Sequence, residues 1–276
     1  MKASTNINTI SRRGNVQDNS SHELFIPIET DYHNRVTGIF VLDLAEYAES
    51  VQKNLFDITG SYFREGLSGL TVHRAPLDQS LQKGYIATLL KLARSIDESD
   101  EHTRFHRLRT AIWVRHLAQE LSLSEEEVNI LVLAAKLHDV GKVMVPKEIL
   151  LRPDHLLPNE WDVMKRHPNF GAVLMEPSAA LQPVIPIVRA HHENYDGSGY
   201  PAGLAGETIP FGARILSVAD AFTTMTDGRV YRRPCSIYQA VQELERCSGT
   251  QFDPLIVEAM LALIYRGDVE DLREYL

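Results

Sequence analysis

The spacing of hydrophobic positions changes along the chain. The first 22 residues are rich in Ser, Asn and Thr and have no period, which predicts a mobile segment. Residues 25–28 and 36–42 are short apolar stretches rich in β-branched side chains and predict two strands, with Asn34 in the turn between them. From Leu44 the period becomes helical: Leu44, Tyr47, Val51, Leu55 and Ile58 form one stripe, and Gly60 ends it. Residues 60–80 carry no assignable pattern. Ile86, Leu89, Leu90, Ala93 and Ile96 mark a second helix, and the acidic run at 97–101 reads as a junction. The expectation is a small α+β region over residues 1–98 followed by a second domain over 99–276.

Everything beyond residue 100 has helical spacing. His106, Thr110, Trp113, Leu117 and Leu121 share one face. Ser124 and Glu127 form a capping box that opens a helix carrying Val128, Leu131, Ala135 and His138 on one side. Pro158 suits a first helical turn, ahead of Trp161, Met164 and His167. Further helices are expected through Val184, Val188, His191 and His192, and over residues 211–225. Two more should start at the Ser236/Gln239 box and at Asp253-Pro254. The second domain is therefore expected to be mainly α.

Composition narrows the function classes. Of 276 residues, 44% are hydrophobic and 24% charged, an ordinary globular balance. The formal net charge of −9 argues against a broad surface for polymeric nucleic acid, although a few gathered arginines could still bind a phosphate ligand. The only cysteines are Cys235 and Cys247, which do not make a disulfide scaffold. The start of the chain lacks an apolar signal core, and the longest apolar run, 130–135, is far too short to span a bilayer. A cytoplasmic protein with no membrane span is expected.

The eleven histidines change the picture, because most fall between His102 and His192. His138-Asp139 ends an apolar helix and is followed by Gly141 and Lys142. An adjacent imidazole and carboxylate can bind two different ions, and the carboxylate can bridge both. A lone His-Asp pair is usually a surface pair or a helix end, and a lone His on an apolar face is usually a satisfied core residue. Here, however, His106, His138, His167, His191 and His192 accumulate with Asp139 and with Asp220, an aspartate in an otherwise apolar helix. Five histidines and two aspartates on faces that should be buried are hard to satisfy without metal.

Residues 138–142 (HDVGK) and 191–201 (HHENYDGSGYP) together resemble the HD-GYP domain, a branch of the HD-domain phosphohydrolases. The resemblance runs from about His102 to about Leu263 and takes in His167-Pro168, residues 213–215 with Asp220, and residues 249–254. It implies a helical HD bundle that hydrolyses cyclic di-GMP to pGpG, and in some members on to GMP. It implies two divalent ions, iron or manganese first, with nickel and zinc not excluded by ligand type. By position, one ion takes His106, His138, Asp139 and Asp220, and the other takes Asp139, His167, His191 and His192.

The resemblance also assigns roles around the ions. Asp139 and Lys142 are the catalytic candidates, Lys142 as a cation toward phosphate. Arg229 and Arg232 match the family's phosphate-binding arginines, although Arg233 beside them also fits a solvated basic patch. Tyr200 is a candidate to stack on guanine or bond to phosphate, with Gly199 beside it. Gly197, Gly199 and Gly203 suggest a loop that uses positive φ to approach a ligand closely.

Several positions depart from the family pattern. Trinuclear members carry Glu four residues before the first ligand histidine; here that residue is His102, so a third ion is not supported. Thr223, Gly228 and Val230 replace a usual Asp, Asp and Pro. The alternatives to cyclic di-GMP hydrolysis are a metal-containing cyclic dinucleotide sensor, a scaffold for a diguanylate cyclase, and hydrolysis of another cyclic dinucleotide such as cyclic GMP-AMP. The N-terminal region resembles no named module; a dimerisation role, giving a homodimer, is one expectation for it.

Overall fold

The computed structural model describes residues 23–30, 36–43, 79–98, 105–152, 154–227 and 234–267. Contacts divide the chain into two compact units, Met1–Asp57 and Ile58–Leu276. In the first, β1 (Glu23–Thr30) pairs antiparallel with β2 (Val36–Asp43), with Phe25 opposite Val41 and Ile26 opposite Phe40. The register shifts just past Pro27, a residue without an N–H to give to a ladder. The strands are where the sequence places them. The mobile N-terminal segment, the Asn34 turn and the Leu44–Ile58 helix lie outside the described residues.

The second unit is all-helical among its described residues, as expected. Its first helix, α1 (Gln79–Glu98), precedes the acidic run that marks a junction in the sequence. Leu89 and Ala93 of α1 are nevertheless buried in the same core as the later helices. The Tyr85 hydroxyl donates to the Leu174 carbonyl at 2.5 Å, and burial pushes its pKa up to about 12.

Next come α2 (His106–Glu120) and α3 (Glu125–Leu137), packed on each other. Both parts of the Ser124 capping box form: Ser124 N donates to Glu127 Oε2 at 2.8 Å, and Glu127 N donates back to Ser124 Oγ. A 3₁₀ turn (Val140–Met144) leaves the end of α3 and is followed by α4 (Lys147–Leu150), α5 (Pro158–Met164) and α6 (His167–Met175). Then come α7 (Ile185–Arg189), α8 (Phe211–Asp227), α9 (Ile237–Arg246) and α10 (Pro254–Arg266). The second capping box forms at α9, and Asp253 caps α10 by accepting from Leu255 N at 2.9 Å.

Where α7 ends decides where the paired histidines stand. The expected helix through His192 stops at Arg189, so His191 and His192 lie in the turn just beyond it. Gly141 sets a second close approach. A Cβ there would lie 2.0 Å from the His167 carbonyl oxygen and 2.4 Å from Gly171 N, so only glycine lets the turn after His138-Asp139 touch the backbone of α6. Among the described residues no helix is long and apolar enough to cross a membrane.

Candidate metal centre

Seven expected ligands converge from three helices and two turns. His106 opens α2, His138 and Asp139 close α3, His167 opens α6, His191 and His192 follow α7, and Asp220 lies in α8. Their ligand atoms form two groups, Asp139 with His167, His191 and His192, and His106 with His138 and Asp220; within each group these atoms lie within 4.8 Å of one another. Asp139 joins the two. Its Oδ1 is 3.2 Å from His167 Nε2, and its Oδ2 is 3.3 Å from His138 Nε2. Asp220 Oδ1 is 2.8 Å from His106 Nε2 and 3.5 Å from His138 Nε2.

Three imidazoles have their tautomer fixed by the backbone. His138 Nδ1 lies 2.8 Å from the Ala135 carbonyl, His167 Nδ1 2.9 Å from that of Met164, and His191 Nδ1 2.6 Å from that of Val188. A carbonyl only accepts, so each Nδ1 carries the proton and a neutral ring keeps its lone pair on Nε2. His167 Nε2 and His191 Nε2 then face each other at 3.3 Å with lone pairs on both sides. Asp139 Oδ1 is buried and makes no hydrogen bond. Two opposed imidazole lone pairs beside an unbonded carboxylate oxygen make a donor set that a divalent cation satisfies and water satisfies poorly.

The electrostatics divide the histidines. Burial alone would lower the His138 pKa, but Asp139 and Asp220 outweigh it and hold it well above the ordinary value. His106 behaves likewise, raised against burial by Asp220 and Asp227. Burial pushes His191 well down and His192 down to about 3, reinforced by neighbouring histidines. Burial would raise both aspartates, yet His138 and Lys142 hold Asp139, and His106 and His138 hold Asp220, well below the carboxylate range. Lys142 Nζ sits 2.6 Å from Asp139 Oδ2, so its cation stands at the edge of the cluster.

The 191–201 loop is fixed by its own polar groups. Glu193, 3% exposed, accepts from Ala202 N at 2.6 Å and Leu204 N at 3.0 Å. Tyr195 N and Asp196 N donate to the carbonyls of Gln251 and Thr250, which ties the loop to the turn ahead of α10. Gly197 and Gly203 have positive φ, +84° and +67°, as expected of them. Gly199 does not: it is required because a Cβ would lie 2.2 Å from Asn194 N. Tyr200 packs on His192 with ring centroids 4.8 Å apart. A cleft of about 280 Å³ is walled by His191, His192, Asp220, Ser217, Thr224 and Gln251. Arg229 and Arg232 lie outside the described residues.

Asp227, Arg109 and Glu193 were not singled out from sequence. Asp227 lies two turns after Asp220 on the same face of α8, and that spacing is the signal that could have found it. Its Oδ2 is 3.4 Å from His106 Nδ1, and its Oδ1 is 2.7 Å from Arg109 Nε. His106 thus faces a carboxylate where three of the other expected ligand histidines face a carbonyl. Asp227→Asn is expected to weaken metal binding roughly 10- to 100-fold at the group containing His106, read by metal titration. Equal affinity at both groups in the variant would show that Asp227 does not orient the ring.

A family model described as an HD domain matches residues 91–256. The chain belongs to the HD-domain family. Its HD domain is similar to the cyclic di-GMP phosphodiesterase response regulator RpfG of Xanthomonas campestris pv. campestris, 43% identical over 176 residues that cover 63% of this chain and 47% of that protein. A cyclic di-GMP phosphodiesterase of Thermotoga maritima is 37% identical over 196 residues, 68% of this chain and 53% of that one. A 3′3′-cGAMP-specific phosphodiesterase of Vibrio cholerae is 34% identical over 195 residues, 70% of this chain and 37% of the relative. The chain therefore spans about half the length of the first two of these relatives. A crystal structure of a cyclic GMP-AMP specific phosphodiesterase from V. cholerae shares the fold, with a TM-score of 0.51 at 22% identity, over 65% of this chain and 48% of that one.

Proposed function

We propose that the HD domain is a metal-dependent phosphodiesterase that opens a cyclic dinucleotide, cyclic di-GMP first, to pGpG, with the choice between stopping there and a second cleavage to GMP left open. The observation that carries this reading is Asp139, with one carboxylate oxygen toward each ligand group. His167, His191 and His192 would complete one divalent site with Asp139, and His106, His138 and Asp220 the other. The relatives named as cyclic di-GMP phosphodiesterases support the substrate class. Iron and manganese are the favoured ions, and two rather than three fit the ligand groups.

Ions held here supply an activated water and charge compensation at a phosphate oxygen. The protein's own groups do the rest. Asp139 and Asp220 hold negative charge at the cluster, and the Nδ1–carbonyl bonds fix which nitrogen each anchored histidine presents. Lys142, paired to Asp139, brings a cation to the edge where a phosphate would lie. Arg229 and Arg232 follow α8 and are assigned to the substrate phosphates. Arg229→Ala is expected to raise KM roughly tenfold or more with kcat less affected. An unchanged KM in steady-state kinetics would remove Arg229 from the binding site.

A second reading, hydrolysis of cyclic GMP-AMP, is favoured by the 34% identical V. cholerae relative. The deciding experiment is anaerobic hydrolysis of both cyclic dinucleotides, with metal quantified on the same sample. Metal-dependent product from one and not the other assigns the substrate. Full loading with tight binding and no product would replace the enzyme by a sensor.

A further inference from the structure

The chain has two tryptophans, and they are used differently. Trp113 is 5% exposed and packs edge-on against Phe222 in the core. Trp161 on α5 is 44% exposed. An indole left this open contributes less to stability than a buried one, and exposure alone is ordinary for a single apolar residue; what sets Trp161 apart is its place. It stands at the end of a row of rings. His192 lies 5.0 Å from His167, Tyr200 lies 4.8 Å from His192 at 30°, and Trp161 lies 6.5 Å from Tyr200 at 73°. The row leads from the ligand cluster to solvent. Among the described residues, the other strongly exposed aromatics, Tyr238 and Tyr265, lie on α9 and α10, with no such row leading to them.

Size gives a second argument. The cleft beside the ligand cluster, about 280 Å³, is smaller than the roughly 300–1,000 Å³ that takes a drug-sized ligand. A cyclic dinucleotide is a macrocycle with two bases, so the cleft can take only part of it. The remainder must lie against the neighbouring surface. His192 lines the cleft and also packs on Tyr200, so it links the cleft wall to the Tyr200–Trp161 pair. Lys165 Nζ stands over one face of the Trp161 ring, 5.9 Å from its centroid, so a base stacks either on the opposite face or after this flexible side chain swings aside toward the ligand's phosphates.

Resting on the cyclic dinucleotide reading above, we propose that Trp161 is the outer stacking platform for one purine base of the substrate. A flat π-face accepts any base, so Trp161 contributes affinity and position rather than a choice between guanine and adenine. That choice falls to polar groups, for which Ser217, Thr224 and Gln251 in the cleft wall are placed.

The test uses the full metal-loaded chain. Trp161→Ala is expected to raise KM for the hydrolysed cyclic dinucleotide roughly tenfold, with kcat changed much less, and Trp161→Phe to recover most of the loss. In a Trp113→Phe background, where Trp161 is the sole emitter, a phosphorothioate analogue of the cyclic dinucleotide is expected to quench the fluorescence saturably. An unchanged KM in fully loaded Trp161→Ala, or no quenching where the analogue inhibits turnover, overturns the platform and leaves the phosphodiesterase standing. A fully loaded wild-type chain that neither binds nor cleaves any cyclic dinucleotide defeats the functional reading itself, and the platform with it.

Discussion

Asp139→Asn is expected to leave a folded chain that holds fewer ions than the wild type and turns over a cyclic dinucleotide on the order of a thousandfold more slowly. The substitution keeps the side chain's volume but removes the one negative charge that faces both ligand groups. Asn offers a single carbonyl oxygen, so at most one group keeps a ligand at this position. The amide also brings hydrogen-bond donors toward His138 or His167, where a cation should sit. Lys142, 2.6 Å from the carboxylate, loses its counter-ion and adds repulsion. Elemental analysis and kcat on the same preparation read the result. Two ions per chain with wild-type turnover would remove Asp139 from the bridging position. Combined His138→Ala and Asp139→Ala should abolish loading altogether.

Gly141→Ala is expected to cost stability of about 3 kcal/mol, at the upper end of what overpacking usually costs. A Cβ there would lie 2.0 Å from the His167 carbonyl oxygen, 2.4 Å from Gly171 N and 3.0 Å from the His167 carbonyl carbon. All three are backbone atoms, so no rotamer change relieves the contact, and the turn must move away from α6. Moving it separates Asp139 from His167, so metal affinity falls together with stability. For a domain of this size the loss corresponds to a Tm lower by roughly 6–12 °C. Gly171→Ala is the matched control. Its nearest neighbour would be Val188 Cγ1 at 3.3 Å, a side chain that can yield, and a helical alanine gains back what glycine loses. Equal melting temperatures for the two variants would contradict the close-approach argument.

Much of this was legible from the residues, for reasons that differ from place to place. The Ser124 and Ser236 boxes and the Asp253 cap are local chemistry within a few residues, so the sequence carries them whole. The gathering of the seven expected ligands was legible because aspartate and histidine on apolar faces need a partner, and because their order matches a known motif. The Asp227–His106–Arg109 contact was not, since it depends on how α8 lies against α2 and no local pattern reports that. Gly199 was assigned to a turn conformation, but what excludes a side chain there is the Asn194 backbone folding back on it. The acidic run at 97–101 looked like a boundary because polarity rises there, yet Leu89 and Ala93 before it are buried with the core that follows.

The three Nδ1–carbonyl bonds each span only three residues at the end of a helix or turn. Each imidazole is therefore aimed by a bond within its own segment, not by a contact with another. Assembly of the cluster then reduces to docking pre-aimed rings, and little side-chain entropy remains to be lost when a cation arrives. A cage prepared in this way works as a template whose shape does not depend on its cargo. Such a cage would accept different divalent ions with little rearrangement of the surrounding helices, so which one it carries would follow from supply as much as from the protein.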